Sequence, residues 1–147
     1  MASLSIIADA RARLVEMVTD LAGGVQVSYG IPSPDTQRRE GIALGADTVC
    51  VVDDPHLKGG RRARYEDWDN TLFVWVQSQP DYRLAEARAA ELASIIEDLL
   101  ADDPKLDNLD GLLAATLGEW RFTGGFGPEG PQACVIEITV RMKARLT

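Results

Sequence analysis

Two segments of the chain repeat apolar residues at the spacing of an α-helix. The first covers about residues 4–22, with Ser3 or Ser5 placed to cap its start and Gly23-Gly24 placed to end it. The second covers about residues 82–101, after Asp81 as N-cap. Its buried stripe consists of Ala85, Ala89, Leu92, Ile95, Ile96, Leu99 and Leu100. The pattern therefore predicts two amphipathic helices, the second long enough to cross a whole sheet.

The other apolar segments have the composition or the alternation of β-strands. They cover about residues 25–29, 42–52, 71–77, 112–122 and 132–146. The last strand is the clearest, since its alternate positions are apolar: Ile136, Ile138, Val140, Met142, Ala144 and Leu146. It predicts a long antiparallel strand with one buried face and one face that meets water or a partner.

The predicted order of elements is α-β-β-β-α-β-β. This order indicates an α+β fold, a mostly antiparallel sheet of about five strands with two helices packed on it. We find no internal repeat and no interdomain linker, so residues 1–147 are expected to form one domain. A long loop at about 54–69 separates two strands, and we expect it to be mobile, because loops of this length are usually functional or disordered.

Composition adds a limit on function. The chain has 147 residues, of which 46% are hydrophobic and 26% charged, and this is typical of a soluble globular protein. The net charge is -8, which argues against a surface that binds nucleic acid or anionic lipid throughout.

The chain carries no predicted membrane or export signal. No apolar run approaches the roughly 18 residues of a membrane helix. The start contains Asp9 and amphipathic spacing, unlike a signal peptide. We therefore expect a protein that is made and kept in a cytoplasm, with Cys50 and Cys134 as buried reduced thiols; a disulfide is the alternative.

Motifs of catalytic or cofactor sites are few. Residues 125–130 match the letters GxGxxG, but Pro128 and Pro131 interrupt the segment and a strand follows it, so a hairpin loop is the better interpretation. His56 is the single histidine and has no second histidine with which to share a metal ion. We therefore expect no catalytic residue, no cofactor and no metal, and predict that the protein is not an enzyme.

Paired acidic residues are the remaining candidates for chemistry. They occur at Asp53-Asp54, Glu66-Asp67-Asp69 and Asp102-Asp103, in predicted loops or at a helix end. Such carboxylates do acid–base work only when burial or repulsion shifts their pKa, so we interpret them as solvated surface. A weak divalent-cation site formed by Asp53, Asp54, Asp67 and Asp69 is the alternative.

A cluster of basic residues interrupts this acidic chain. It contains Lys58, Arg61, Arg62 and Arg64. Three interpretations stay open: contact with nucleic-acid phosphate, pairing with the acidic surface of another protein, and simple solvation.

Large aromatic residues suggest a second apolar surface. Phe73 and Trp75 alternate with the apolar residues of the same strand and so face the opposite side of the sheet. Either a helix covers each face, or the second face is a subunit interface, where aromatic residues and arginine are enriched.

These features together resemble the tail terminator family of long-tailed bacteriophages, also called tail completion or minor tail proteins. The resemblance rests on LAGGVQVSYGIP after the first helix, on FVWVQSQPDYRLAEARAAELASIIEDLL, and on the terminal GEWRF…CVIEITVRMKARL hairpin. The turn region from Ile31 to Glu40 departs from the pattern of the family.

The resemblance implies a structural role without catalysis. Such a protein is expected to form a ring of six copies that caps the tail tube, ends its polymerisation and meets the head connector at the head–tail junction of the virion. DNA passes through the ring without specific binding, in agreement with the acidic charge, and no membrane is involved. The interface residues expected on this basis are Arg61, Arg62, Arg64, Trp68, Phe73 and Trp75.

Two other functions stay open. One is a different component of the neck, a head-closure or adaptor protein. The other is a small α+β ligand-binding or enzyme domain with its site in the Asp53–Asp69 loop.

Overall fold

The computed structural model describes residues 5–53, 64–124 and 132–146. These residues form two helices and six strands, in the order α-β-β-β-β-α-β-β. Their bounds are α1 (Ile7–Leu21), β1 (Gln26–Tyr29), β2 (Glu40–Leu44), β3 (Cys50–Asp53), β4 (Arg64–Gln79), α2 (Tyr82–Asp102), β5 (Leu112–Gly124) and β6 (Gln132–Leu146). The predicted α+β class is confirmed, with one strand more than expected.

All six strands belong to one sheet. Their order is β1-β2-β4-β6-β5, and β3 pairs with β4 outside this path. The β1–β2 pair is parallel and the other pairs are antiparallel. Because β2 pairs with residues 72–76 of β4 and β3 with residues 65–68, both lie along the same edge of β4.

The single strand predicted over 42–52 is wrong, since the chain forms β2 and β3 separately. Between them the chain leaves the ladder after Leu44, and the carbonyls of Gly45 and Ala46 accept hydrogen bonds from the guanidinium of Arg11 in α1. The segment predicted as one strand is therefore divided at Gly45 and Ala46, where a distant helix contacts the backbone.

The loop predicted over 54–69 is also wrong in its second half, because β4 begins at Arg64. The first half of β4 has a polar sequence, which hid it from a search for apolar alternation. Its pairing with all of β6, from Arg64 opposite Leu146 onward, holds it in the sheet. Arg64 and Trp68 are therefore strand residues, while residues 54–63 lie outside the described part of the chain.

Two of the three predicted helix ends agree with their capping signals, while the start of α1, predicted at Ser3 or Ser5, does not. The Ile7 N–H donates to Ser5 Oγ (3.1 Å), although the residue in the N-cap position is Ile6. In α2, the Leu84 N–H donates to Asp81 Oδ1 (2.9 Å), so the predicted N-cap is confirmed. The first helix ends before Gly23 and Gly24, which both have positive φ.

Both helices lie on the same face of the sheet, so of the two alternatives left open for the second face, cover by a helix is wrong. Side chains from α1, α2 and one face of the strands form a single core. Its most buried members include Leu14, Val18, Ile42, Leu44, Leu72, Val74, Leu92, Ile96, Ile136 and Ile138. Trp75 and Ala43 are also buried but lie outside this core, on the opposite face.

The hairpin of β5 and β6 confirms the predicted alternation. Ile136, Ile138, Val140, Met142 and Ala144 are buried, and the residues between them are more exposed. Two register shifts interrupt the pairing of β5, at Leu112/Ala114 and Leu117/Trp120.

A charged cluster ties α2 to the sheet. Arg88 donates to both carboxylate oxygens of Glu40 in β2, over 3.0 and 2.7 Å, and to Glu91 over 2.8 Å. These hydrogen bonds lower the pKa of Glu40 and raise the pKa of Arg88.

Two further expectations concern the thiols and the membrane. Cys50 and Cys134 are free, and burial raises the pKa of each thiol; Cys134 is buried, while Cys50 is half-buried. Neither helix in the described ranges has the length and apolar character needed to cross a membrane.

Candidate assembly surface

Four of the six predicted interface residues lie in the described part of the chain, and all four are on β4. Trp68 is 2% exposed and belongs to the core, where its Nε1 donates to Asn70 Oδ1 over 3.2 Å. Trp75 is 4% exposed, and its Nε1 donates to the Arg38 carbonyl over 2.8 Å. Neither indole presents a surface to a partner in this fold. Arg61 and Arg62 lie outside the described residues.

Trp75 is covered by the neighbouring strand β2 and by the backbone at Arg38 rather than by a helix. It lies opposite Gly41 of β2, and a Cβ on that glycine would come within 2.4 Å of Trp75 Cζ2. The absence of a side chain at Gly41 therefore lets the indole lie across the neighbouring strand. Together with the Arg38 carbonyl, this closes one end of the face that the helices leave uncovered.

We call that face the open face of the sheet. It consists of the β4, β5 and β6 side chains that alternate with the core residues, together with β2 and β3 positions paired to them. Its described members include Val51, Tyr65, Asp67, Asp69, Phe73, Thr116, Arg121, Glu137, Thr139, Arg141, Lys143 and Arg145. Neither helix packs on it, so these side chains are available to water or to another molecule.

Opposite charges face each other along part of the open face. In the register of β4 and β6, Asp69 lies opposite Arg141 and Asp67 opposite Lys143. The Arg141 Nε–Asp69 Oδ1 distance is 3.7 Å, and both side chains are largely exposed. Exposed pairs of this kind contribute little to stability, so the row acts mainly by making this part of the face polar.

Beside this row the open face contains a cavity with both apolar and polar lining residues. Its volume is about 530 Å³, and it is lined by Ile31, Gly45, Ala46, Asp47, Thr71 and Phe73. Phe73 is half-buried, while Ile31 is 63% exposed. A Cβ on Gly45 would come within 3.0 Å of Phe73 Cε2, so the glycine keeps room for the ring. Phe73 thus forms part of the wall of this cavity.

From the cavity residue Asp47 the chain leads to the exposed edge strand β3. Val49, Val51 and Val52 are 80%, 64% and 52% exposed, and they are large β-branched side chains. On one side β3 pairs with β4, and among the described residues no strand pairs with its other side. We call Val49, Val51 and Val52 the valine edge; an apolar edge of this kind favours pairing with another chain.

A buried polar network positions both the cavity and the valine edge. Arg11 is 4% exposed and donates to Asn70 Oδ1 over 2.9 Å, to the Gly45 carbonyl, and to the Ala46 carbonyl over 3.3 Å. Asn70, which is fully buried, donates in turn to the Val140 carbonyl over 3.1 Å. The network therefore fixes the segment from which Asp47 and the valine edge extend.

Sequence analysis missed this network, although a signal was present. Arg11 occupies the buried stripe of α1 between Ile7 and Leu14, and Asn70 shares its face of β4 with Leu72. A polar residue at a core position of an otherwise regular pattern indicates a buried, hydrogen-bonded group.

A buried carboxylate lies nearer the start of β4. Glu66 is 3% exposed; Ser5 Oγ donates to its Oε1 over 3.1 Å, and Arg64 Nη2 lies 3.7 Å from its Oε2. Arg64 Nε and Nη2 are buried without a hydrogen-bond partner among the described residues. Arg64 therefore lies beside a buried carboxylate, and two of its three guanidinium nitrogens are buried.

The other candidates for chemistry are not assembled into a site. Within the described ranges, no three His, Cys, Asp or Glu side chains come together as metal ligands, so Asp53, Asp67 and Asp69 do not form a cation site by themselves. Asp54, His56 and the glycine-rich residues 125–130 lie outside those ranges.

Comparisons with known proteins add no relative. No family model matches the sequence, and no curated protein matches it significantly.

Proposed function

We propose that this chain is a structural virion protein that forms a ring on the tail tube of a long-tailed bacteriophage. The ring ends polymerisation of the tube and joins the tail to the head. The observation that carries the proposal is that one molecule combines an open sheet face, the Phe73 cavity on that face and the exposed valine edge. These features serve association with other chains.

A ring needs surfaces of two kinds. Neighbouring copies meet through unlike patches, so each copy must present one patch to the copy before it and another to the copy after it. The ring must also meet the tube and the head connector. The valine edge suits contact between copies, because strand pairing uses backbone groups. The open face, with its charged row and the Phe73 cavity, suits a partner of different sequence.

The net charge of -8 also supports a ring through which DNA passes. Several acidic copies around a lumen repel duplex phosphate, so that DNA slides through without being bound. Accordingly the proposal assigns no cofactor and no specific contact with DNA.

The first experiment measures native mass by light scattering over a wide concentration range, with negative-stain microscopy of the same samples. Closed rings, six-fold in the proposal, are expected. Ile31→Asp and Val51→Lys, which place charges beside the cavity and on the valine edge, should weaken assembly or tube binding without unfolding the protein. Leu84→Asp is the matched control, since Leu84 is an exposed apolar residue of α2 outside this surface.

The second experiment adds tail tube protein during its polymerisation. The expected result is shorter tubes with a ring at one end. Tubes of unchanged length, together with binding to a portal-type ring, would instead assign the chain to another neck component, such as a head-closure or adaptor protein. Tubes of unchanged length without any such binding would overturn the proposal.

A further inference from the structure

An apolar groove lies between the C-terminal parts of the two helices. It has a volume of about 330 Å³ and is lined by Met17, Asp20, Leu21, Asp98, Leu99 and Asp102. Leu99 is buried and forms part of its floor, and Leu21 is 55% exposed at its side. We call it the helix groove. It is on the helical layer, away from the open face of the sheet.

The potential of the helix groove is negative for two reasons. Asp20, Asp98 and Asp102 are exposed around it, and among the described residues none of them forms an ion pair. In addition, the last turns of α1 and α2 contain no basic residue. The negative C-terminal ends of two helix dipoles therefore lie beside carboxylates, which add to the negative potential, and no basic side chain of these turns offsets it. A ligand that fits must combine positive charge with apolar or aliphatic surface.

The chain itself contains a segment of this chemistry. Residues 54–63 include Lys58, Arg61 and Arg62, whose long aliphatic stems carry cationic ends. The described residues on either side of the segment, Asp53 and Arg64, lie at the end of the β3–β4 pair, where Asp53 is opposite Tyr65. A connection of this length that starts and ends at the sheet can extend at most roughly 17 Å away from it. The basic segment is thus attached beside the valine edge, where contact between copies is proposed.

We infer that the helix groove binds the basic segment, Lys58 to Arg62, of a second copy of this chain. The contact is between unlike surfaces, so repetition leads from one copy to the next around a ring. The inference rests on the proposed function, since it names the contact that joins adjacent copies. It also selects one of the three interpretations of the basic cluster, pairing with an acidic protein surface, and identifies that surface.

The test reverses the charges on each side separately. Arg61→Glu/Arg62→Glu makes the segment acidic, and Asp20→Lys/Asp98→Lys makes the groove basic. Each variant alone should self-associate at least about tenfold more weakly than the original chain, because like charges then meet. An equimolar mixture of the two should regain assembly, since every contact in an alternating ring is again between opposite charges.

The control is Glu16→Lys/Glu97→Lys, which changes the charge equally with one exposed residue on each helix but none in the groove. It should assemble like the original chain. Added salt should weaken the original contact. Should a lysine variant fail to fold by circular dichroism, Asp20→Asn/Asp98→Asn removes the charges without reversing them, and should also weaken association.

Several outcomes would overturn the inference. The first is that either charge variant associates as strongly as the original chain, and the second is that the mixture does not regain assembly. The third is that the original chain is monomeric at every concentration, with and without tube protein. A basic segment that occupied the groove of its own chain would change thermal stability and leave association unaltered, which also contradicts it. Rings that cap tubes while ignoring both charge changes would refute only the groove contact. Charge-dependent rings that never bind tubes would refute only the proposed function.

Discussion

Arg11 in the first helix donates a hydrogen bond of 2.9 Å to the side-chain oxygen of Asn70, in the middle of the sheet. Both residues are buried, and the same guanidinium binds the carbonyls of Gly45 and Ala46. A buried cation without a carboxylate partner is stable only when its N–H groups are satisfied. This contact therefore links the core to the segment that leads into the valine edge.

Arg11→Met should lower the free energy of unfolding by about 2–4 kcal/mol, because buried oxygens lose their donor. Urea-induced unfolding measures the loss. Arg83→Met, at an exposed position of α2, is the control and should change stability by less than about 0.5 kcal/mol. Amides of residues 45–53 should exchange with deuterium faster in Arg11→Met than in the control. Equal exchange would mean that Arg11 does not hold this segment.

Gly124→Ala should destabilise the protein by about 1–3 kcal/mol through overpacking. A Cβ at this position would lie 2.0 Å from Tyr82 Cε2, so the ring would have to move away from β5. Tyr82→Ala removes the obstacle. In a double-mutant cycle, Gly124→Ala should therefore cost much less in the Tyr82→Ala background, and additive losses would contradict this packing.

Acid should weaken the link between α2 and β2. Hydrogen bonds from Arg88 lower the pKa of Glu40 below its unfolded value, so the stabilisation is present above the unfolded pKa and is lost as pH falls through the folded pKa. In Arg88→Met, the free energy of unfolding should lose this dependence on pH. The pair is partly exposed, and a cycle with Glu40→Gln at neutral pH should give a coupling of roughly 0.2–1 kcal/mol. A coupling near zero would show that the contact does not stabilise the fold.

Alkaline pH should destabilise the fold by ionising the hydroxyl group of Tyr82. Burial and the hydrogen bond with Cys134 raise the pKa of Tyr82 to about 12, so its contribution to stability is complete below the ordinary value of 10.0 and is lost as pH rises toward 12. Tyr82→Phe should reduce the decline of stability over this range. Burial raises the pKa of Cys134 as well, so the comparison is repeated in a Cys134→Ala background. The same decline with and without the Tyr82 hydroxyl would contradict the assignment.

Much of the fold was predictable from local pattern. The helical stripe of α2 with its Asp81 cap and the alternation of β6 each lie within one continuous segment, and the structure has both where the pattern predicts them. Phe73 was also correctly separated from Leu72 and Val74, because alternation along a strand is a local property.

The candidate assembly surface was predictable only in part. The sequence indicated a second sheet face with aromatic residues, but Trp68 lies on the core face and Trp75 is covered by chain around Arg38. The exposure of the valine edge had no local signal, since a β-branched run is typical of a buried strand too.

By itself, the sequence determined the class of fold, the positions of both helices and the face on which each residue of β6 lies, because periodicity and capping act over a few residues. Tertiary structure decided that both helices cover the same face, that the polar first half of β4 is a strand, and that β2 and β3 are separate. These depend on contacts such as Arg11 with Gly45 and the long pairing of β4 with β6, between residues far apart in the chain. Partners of that kind leave no periodic signal in either segment alone.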